Sequence, residues 1–258
     1  MIGFFIKKAF FDAWDNLIGL VLSNLGFLLV LMGFSFGMQY MSSSLILTFL
    51  IIVIALVLFS FHSVGVANIT LNYSDYKRVG FAGYKAGIKT FTSHAIFLSV
   101  INLMLVLLAT VVLPFYLSIT SFIGLFLGVI TFWILITVLI SIQYYLPLMS
   151  RFTGDKPLKT FKKCFIMAIG NLGVSIFLAV FNIIQIALTL VTAGLLFNFT
   201  GITLANQIAF KLLLLKLDWL EENPEEDIKH VNWDDILYEE RENVGHRSIK
   251  NMIFPWKD

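Results

Sequence analysis

Charge is what this sequence has little of. Asp, Glu, Lys and Arg make up 13% of the 258 residues, roughly half the share of an ordinary soluble domain. The shortage is concentrated. Residues 90–150, a run of 61 positions, hold none of the four, and neither do residues 16–74 (59 positions) or 164–210 (47 positions). One bilayer crossing takes about 20 apolar residues, so the 61-residue run is too long for one helix and suits two joined by a tight turn. The single cysteine, Cys164, excludes an internal disulfide. No short apolar run with an A-x-A-like site opens the chain, so no secretory leader is expected. Walker, dinucleotide-binding, H-E-x-x-H and G-x-S-x-G motifs are all missing. The uncharged spans also lack the carboxylate that proton-coupled carriers commonly use and the nucleophile-base pair of an intramembrane hydrolase. The expectation is a protein that is not an enzyme, with no catalytic, cofactor-binding or metal-ligating set, and with no nucleic acid among its partners.

What is present is apolar: 59% hydrophobic residues and a mean hydropathy of +0.89. The pattern predicts an all-α, polytopic membrane bundle of about six helices, near 17–37, 45–66, 95–117, 122–142, 165–186 and 190–212. They form three hairpins, joined by basic amphipathic segments. Residues 1–215 make the membrane domain, with 12 Lys/Arg against 4 Asp/Glu; residues 216–258 make an acidic, aromatic tail, with 6 Lys/Arg against 12 Asp/Glu. All 12 basic residues of the body lie in the N-terminal segment, the two long links or the exit at Lys211, and none in the short turns. The positive-inside rule then places both termini in the cytoplasm of a cell whose inner membrane holds the bundle.

Three segments read as helices lying on the membrane surface. In residues 3–15, Lys7, Lys8, Asp12 and Asp15 share one side, and Phe4, Phe10, Phe11 and Trp14 line the other. In the first link, Phe81, Tyr84, Ile88 and Phe91 fall at helical spacing, with Lys85 and Lys89 elsewhere on the wheel. In the second, Leu158, Phe161 and Phe165 oppose Lys156, Lys159 and Lys163, with Pro157 at the first turn. Anionic lipid headgroups are the expected partners of Lys85, Lys89, Lys159 and Lys163. A basic segment followed by a hairpin thus occurs three times.

Among uncharged polar residues, Asn182, Gln185, Asn198 and Asn206 of the last hairpin are the candidates for a polar cavity that would hold a small solute or a lipid headgroup; hydrogen bonding between helices is the plainer role. His62 and His94 sit at span ends, where a satisfied interfacial histidine is the ordinary expectation. Gly124 and Gly128 have the small-xxx-small spacing of close helix packing. In the tail, residues 234–242 are expected to form one short helix, with Gly245 just past its end. A disordered tail tends to lack aromatics, so Trp233, Leu237, Tyr238, Phe254 and Trp256 are the candidate contacts, either with the protein's own cytoplasmic face or with a membrane-protein or cytoplasmic partner. The leading expectation is an accessory or scaffold component engaging a partner through this tail. The alternative is a small-solute transporter or lipid-handling protein.

From residue 10 to residue 31, and at Gly87-Ile88-Lys89-Thr90-Phe91, the chain resembles bacterial multi-pass inner-membrane proteins of the YesL type. That likeness is one of architecture, over about residues 4–215, and implies an accessory role. The acidic aromatic tail departs from it, and the likeness implies no functional residues.

Overall fold

The chain is described by a computed structural model over residues 1–196, 198–225 and 231–247. Every regular element there is helical. The surface helix α1 (Ile2–Asp15) is followed by the hairpin α2 (Leu17–Tyr40) and α3 (Leu45–Ser74). The second unit is α4 (Phe81–Thr90), then α5 (Thr92–Leu107), a π-helical turn (Leu108–Val112) and α6 (Leu113–Ser118), returning as α7 (Phe122–Ile142) and α8 (Tyr145–Arg151). The third is α9 (Pro157–Gly170) with α10 (Leu172–Val191) and α11 (Phe199–Glu222); α12 (Trp233–Ile236) and α13 (Tyr238–Val244) belong to the tail. Six of these helical stretches are long and apolar enough to cross a membrane, which makes this a multi-pass helical membrane protein.

Local chemistry sets the joints. Each surface helix turns into its span through one residue off the helical conformation: Asn16, Phe91 or Asn171. The amides of Asn16 and Asn171 donate to the carbonyls of Asp12 and Met167, and the Thr92 hydroxyl donates to Ile88. These bonds add side-chain donors to the carbonyls of the last turn, where the helical ladder runs out. Each return helix begins with a capping side chain: Ser44, Ser121 and Asn198 accept from the backbone N–H of Leu47, Gly124 and Phe199. Pro114 has no N–H to continue the helix. The turn before it widens to π geometry, the Leu113 N–H reaching back to Leu108. Gly124 and Gly128 pack inside this second hairpin: a Cβ on either would press on Ile119 or Leu117.

The three units close on one another. Helix α4 packs on α3, α9 on α7, and α1 on α11. The return helices α3, α8 and α11 meet at Gln207, whose amide donates to the Ala67 carbonyl (3.3 Å) and the Ser150 hydroxyl (2.7 Å). The buried core, with Phe5, Leu20, Tyr144, Tyr145, Leu178, Ile208 and Phe210, lies around this end of the bundle. The far parts of the first two hairpins are bare, Leu45 and Phe122 being 90% and 82% exposed.

Several boundaries depart from the sequence expectation. Residues 165–170 belong to the surface helix α9, so the fifth span starts at Leu172 rather than 165. Residues 192–196 and 198 are turn or bend, and the sixth helix starts at Phe199 rather than 190. The third hairpin is also short. The Leu195 carbonyl accepts from Asn24 (2.9 Å), and Phe199 packs against Phe27 and Phe59, the last in the middle of α3. A Cβ on Gly194 would press on Leu28. Helix α2 continues from there to Tyr40, about 18 Å further at 1.5 Å per residue. Helix α11 therefore runs from mid-depth out into the charged end, where Lys211, Lys216 and Asp218 lie on its second half.

Candidate functional site

At the charged end, six ionised side chains alternate in sign along one connected line. Asp12 Oδ2 lies 3.0 Å from Lys8 Nζ, and Lys8 Nζ lies 3.2 Å from Glu240 Oε2. Glu240 Oε1 lies 2.7 Å from Lys211 Nζ, which is 3.2 Å from Asp75 Oδ1, itself 3.2 Å from the Arg151 guanidinium. The groups come from α1, α13, α11, the end of α3 and α8. Tyr76 sits among them. Its hydroxyl donates to Glu240 Oε2 (2.8 Å), and its ring lies under Lys8 Nζ at 3.7 Å and near Lys211 Nζ at 5.0 Å. Tyr76 adopts a left-handed backbone conformation (φ 58°), uncommon for a residue with a bulky side chain. That turn brings the ring back beneath the two ammonium groups.

Three positive and three negative groups balance, as burial requires: an isolated buried ion costs several kcal/mol, which only close partners offset. Lys8 is wholly buried, and Asp12 and Glu240 nearly so. Their protonation equilibria differ with the number of partners. Burial pushes the Asp12 carboxyl up to about 6, because Lys8 is its one close cation. Burial likewise lowers the Lys8 ammonium, more than its two acids raise it. Glu240 is raised by burial too, but the combined pull of Lys8, Lys211 and the Tyr76 hydroxyl is larger and holds it below its ordinary range. Asp75, between Lys211 and Arg151, is held low in the same way.

This arrangement corrects the reading of α1 as a helix with one charged, outward side. Lys8 and Asp12 lie on the inner side with Phe5 and Phe11, while Lys7 and Asp15 reach the tail: Lys7 Nζ donates to the Gly245 carbonyl (2.9 Å), and Arg247 forks onto both Asp15 oxygens (2.8 Å each). A sequence signal was present. Aromatics at positions 4, 5, 10, 11 and 14 surround the helix, so no wholly polar side exists and some charge has to turn inward.

The expected single tail helix over 234–242 is instead α12 and α13, broken at Leu237, with Gly245 just beyond α13 at φ 76°. Of the candidate partner contacts, Leu237 is fully buried against the protein's own core, Trp233 is half-buried on it and Tyr238 is exposed. Phe254 and Trp256 lie outside the described residues. Tyr238 borders an open cleft of about 760 Å³ between α1 and α13, together with Phe4, Lys7, Arg241, Glu242 and His246.

Three amides of the last hairpin, Asn182, Asn198 and Asn206, are engaged with one another or with the nearby backbone. Asn182 donates to Asn206 (2.9 Å), and Asn198 caps α11 and donates to the Gly194 carbonyl. Gln185 borders a largely apolar cavity of about 320 Å³ between α1, α2, α10 and α11. Both ring nitrogens of the half-buried His62 and of the buried His94 are engaged. His62 Nε2 faces the Ser23 carbonyl (2.9 Å) and Nδ1 the Tyr84 hydroxyl (2.8 Å); His94 Nε2 faces the Asp155 carbonyl (3.0 Å) and Nδ1 the Tyr145 hydroxyl (3.1 Å). A carbonyl only accepts, so Nε2 carries the proton in each and the tyrosine donates to Nδ1. Lys85 and Lys89 are exposed on α4, whereas Lys159 and Lys163 both clamp Asp155. No family model, curated protein or solved structure matches this chain.

Proposed function

We propose that the protein is a non-enzymatic scaffold or accessory component of the inner membrane, with its N-terminus and tail on the cytoplasmic side, whose charged end presents a fixed platform to a protein partner. The observation that carries this is the locking of the tail. Glu240 enters the buried ion line, Arg247 pairs with Asp15, and Lys7 holds the end of α13. A tail held at three points forms one wall of the cleft that exposes Tyr238, a rigid aromatic of the kind that anchors interfaces. The exposed Lys85 and Lys89 suit an anionic leaflet beside that platform. The accessory role implied by the YesL-type likeness is of this kind.

The test is capture from gently solubilised membranes with tagged full-length protein, beside Tyr238→Ala and Leu158→Ala. Both side chains are exposed, at 62% and 56%, so the fold should tolerate either loss. A partner retained with Leu158→Ala and lost with Tyr238→Ala supports the platform. Equal capture by both variants, or no specific partner for the intact protein, refutes it.

A further inference from the structure

The outer side of α2 is stripped of side chains where it faces α3 and α4. Gly19 and Gly26 lie two turns apart there, and the space a Cβ would occupy is taken by the Tyr73 hydroxyl at Gly19 and the His62 ring at Gly26. Those two side chains fill the notches at the glycines, and beside them a groove of about 330 Å³ stays open, walled by Leu22, Gly26, Gly80, Phe81 and Tyr84. It continues, through the shared residues Gly19, Tyr73 and Val79, into a more polar recess of about 440 Å³ beside Trp14, Asn16 and Arg78. Phe81 and Leu22 are 67% and 64% exposed, so the groove opens sideways, toward lipid, at the charged end of the spans.

Two polar groups at the junction are unanswered by the protein. Tyr73 is 93% buried (7% exposed), yet its hydroxyl has no hydrogen-bond partner among the described residues, although it borders both recesses. The exposed Arg78 has no ion pair among the described residues, and the nearby acid Asp15 is already neutralised by Arg247. A guanidinium and a phenol hydroxyl, both donors, above an apolar slot match an anion attached to a hydrocarbon chain. Guanidinium groups favour phosphate through paired N–H donors, and the Trp14 ring beside them suits the headgroup boundary.

We infer that the groove between α2, α3 and α4 is a binding site for an anionic glycerophospholipid, its phosphate on Arg78 and the Tyr73 hydroxyl and one acyl chain along the slot bordered by Leu22 and Phe81.

The test titrates phosphatidylglycerol, and separately phosphatidylcholine, into delipidated full-length protein, with bound lipid counted by native mass spectrometry. Arg78→Gln removes the cation and should weaken phosphatidylglycerol about fivefold, the equivalent of the ~1 kcal/mol a basic residue contributes near an anionic surface. Tyr73→Phe keeps the ring and should weaken it two- to tenfold, as for loss of one hydrogen bond of about 0.5–1.5 kcal/mol. Gly80→Phe should abolish the tight site by filling the slot, because a Cβ at Gly80 meets nothing within 4 Å. Lys162→Gln, an exposed lysine on α9, makes the same charge change elsewhere and should leave affinity unchanged. The inference is overturned if phosphatidylcholine binds intact protein as tightly, if Lys162→Gln weakens binding as much as Arg78→Gln, or if Gly80→Phe or Tyr73→Phe retains full affinity.

Discussion

At the scale of single residues, the ion line makes Glu240 the most consequential side chain in the tail. It lies between Lys8 and Lys211, and removing its charge leaves two buried or half-buried ammonium groups short of an acid. Breaking a buried pair in this way costs about 3–5 kcal/mol. Glu240→Gln should therefore lower the melting temperature markedly and expose the tail to limited proteolysis, whereas Glu239→Gln, exposed one position earlier, should do neither. The pH dependence has two opposing parts. Asp12, raised to about 6 in the folded protein, favours the fold when protonated; that contribution is fully present below the ordinary carboxylate value and fades as pH rises through about 6. Glu240 and Asp75 are held low, so their contribution is present above ordinary carboxylate values and is lost as pH falls through their depressed ones. Thermal stability should thus rise modestly from about pH 7 to pH 5 and collapse in stronger acid. Asp12→Asn should remove the rise and leave the acid collapse, as melting curves across that range would show. Of this line only the shared side of Lys8 and Asp12, four positions apart, was legible in the sequence; pairing Lys8 with Glu240 requires contact across 232 positions.

Among the elements, close approach decides which substitutions matter. Helix α4 lies on α3 through Gly87, where a Cβ would come within 2.7 Å of the Asn68 Cβ and 3.3 Å of the Val64 carbonyl. Asn68 reinforces the contact by donating to the Gly83 carbonyl (2.8 Å). Gly87→Val should push the two helices apart, at an overpacking cost of about 1–3 kcal/mol. By contrast Gly170→Ala, where a Cβ meets nothing within 4 Å, should leave melting almost unchanged. The helical stretches themselves were readable from uncharged length, and the surface helices from basic residues at helical spacing. Their ends were not. The stretch 165–186 is apolar throughout, so hydropathy could not show that the chain bends at Asn171; that bend depends on α9 packing against α7.

Across the whole molecule, two tall hairpins and one short hairpin share a single packed end. Helix α11 begins level with the middle of α3 and is the most enclosed of the six long helices. A cysteine placed at Leu196, in the short turn, should resist a membrane-impermeant maleimide from either side, whereas one at Ser43, in the tall turn between α2 and α3, should react from one side only. Equal labelling of the two would contradict the difference in depth. Native Cys164 is fully buried and should stay silent in the same assay. What the amino-acid order decided unaided was the class of the protein: long uncharged runs have no stable place except as helices in lipid, since their backbone polar groups must be satisfied within the segment. It also decided that charge gathers at one end, because no basic residue occurs in the three short turns. The tertiary structure alone decided which charges are buried, how deep the third hairpin reaches and that the tail closes onto the body. Each of these depends on a balance between desolvation and the partners that folding supplies, and those partners come from positions far apart in the chain.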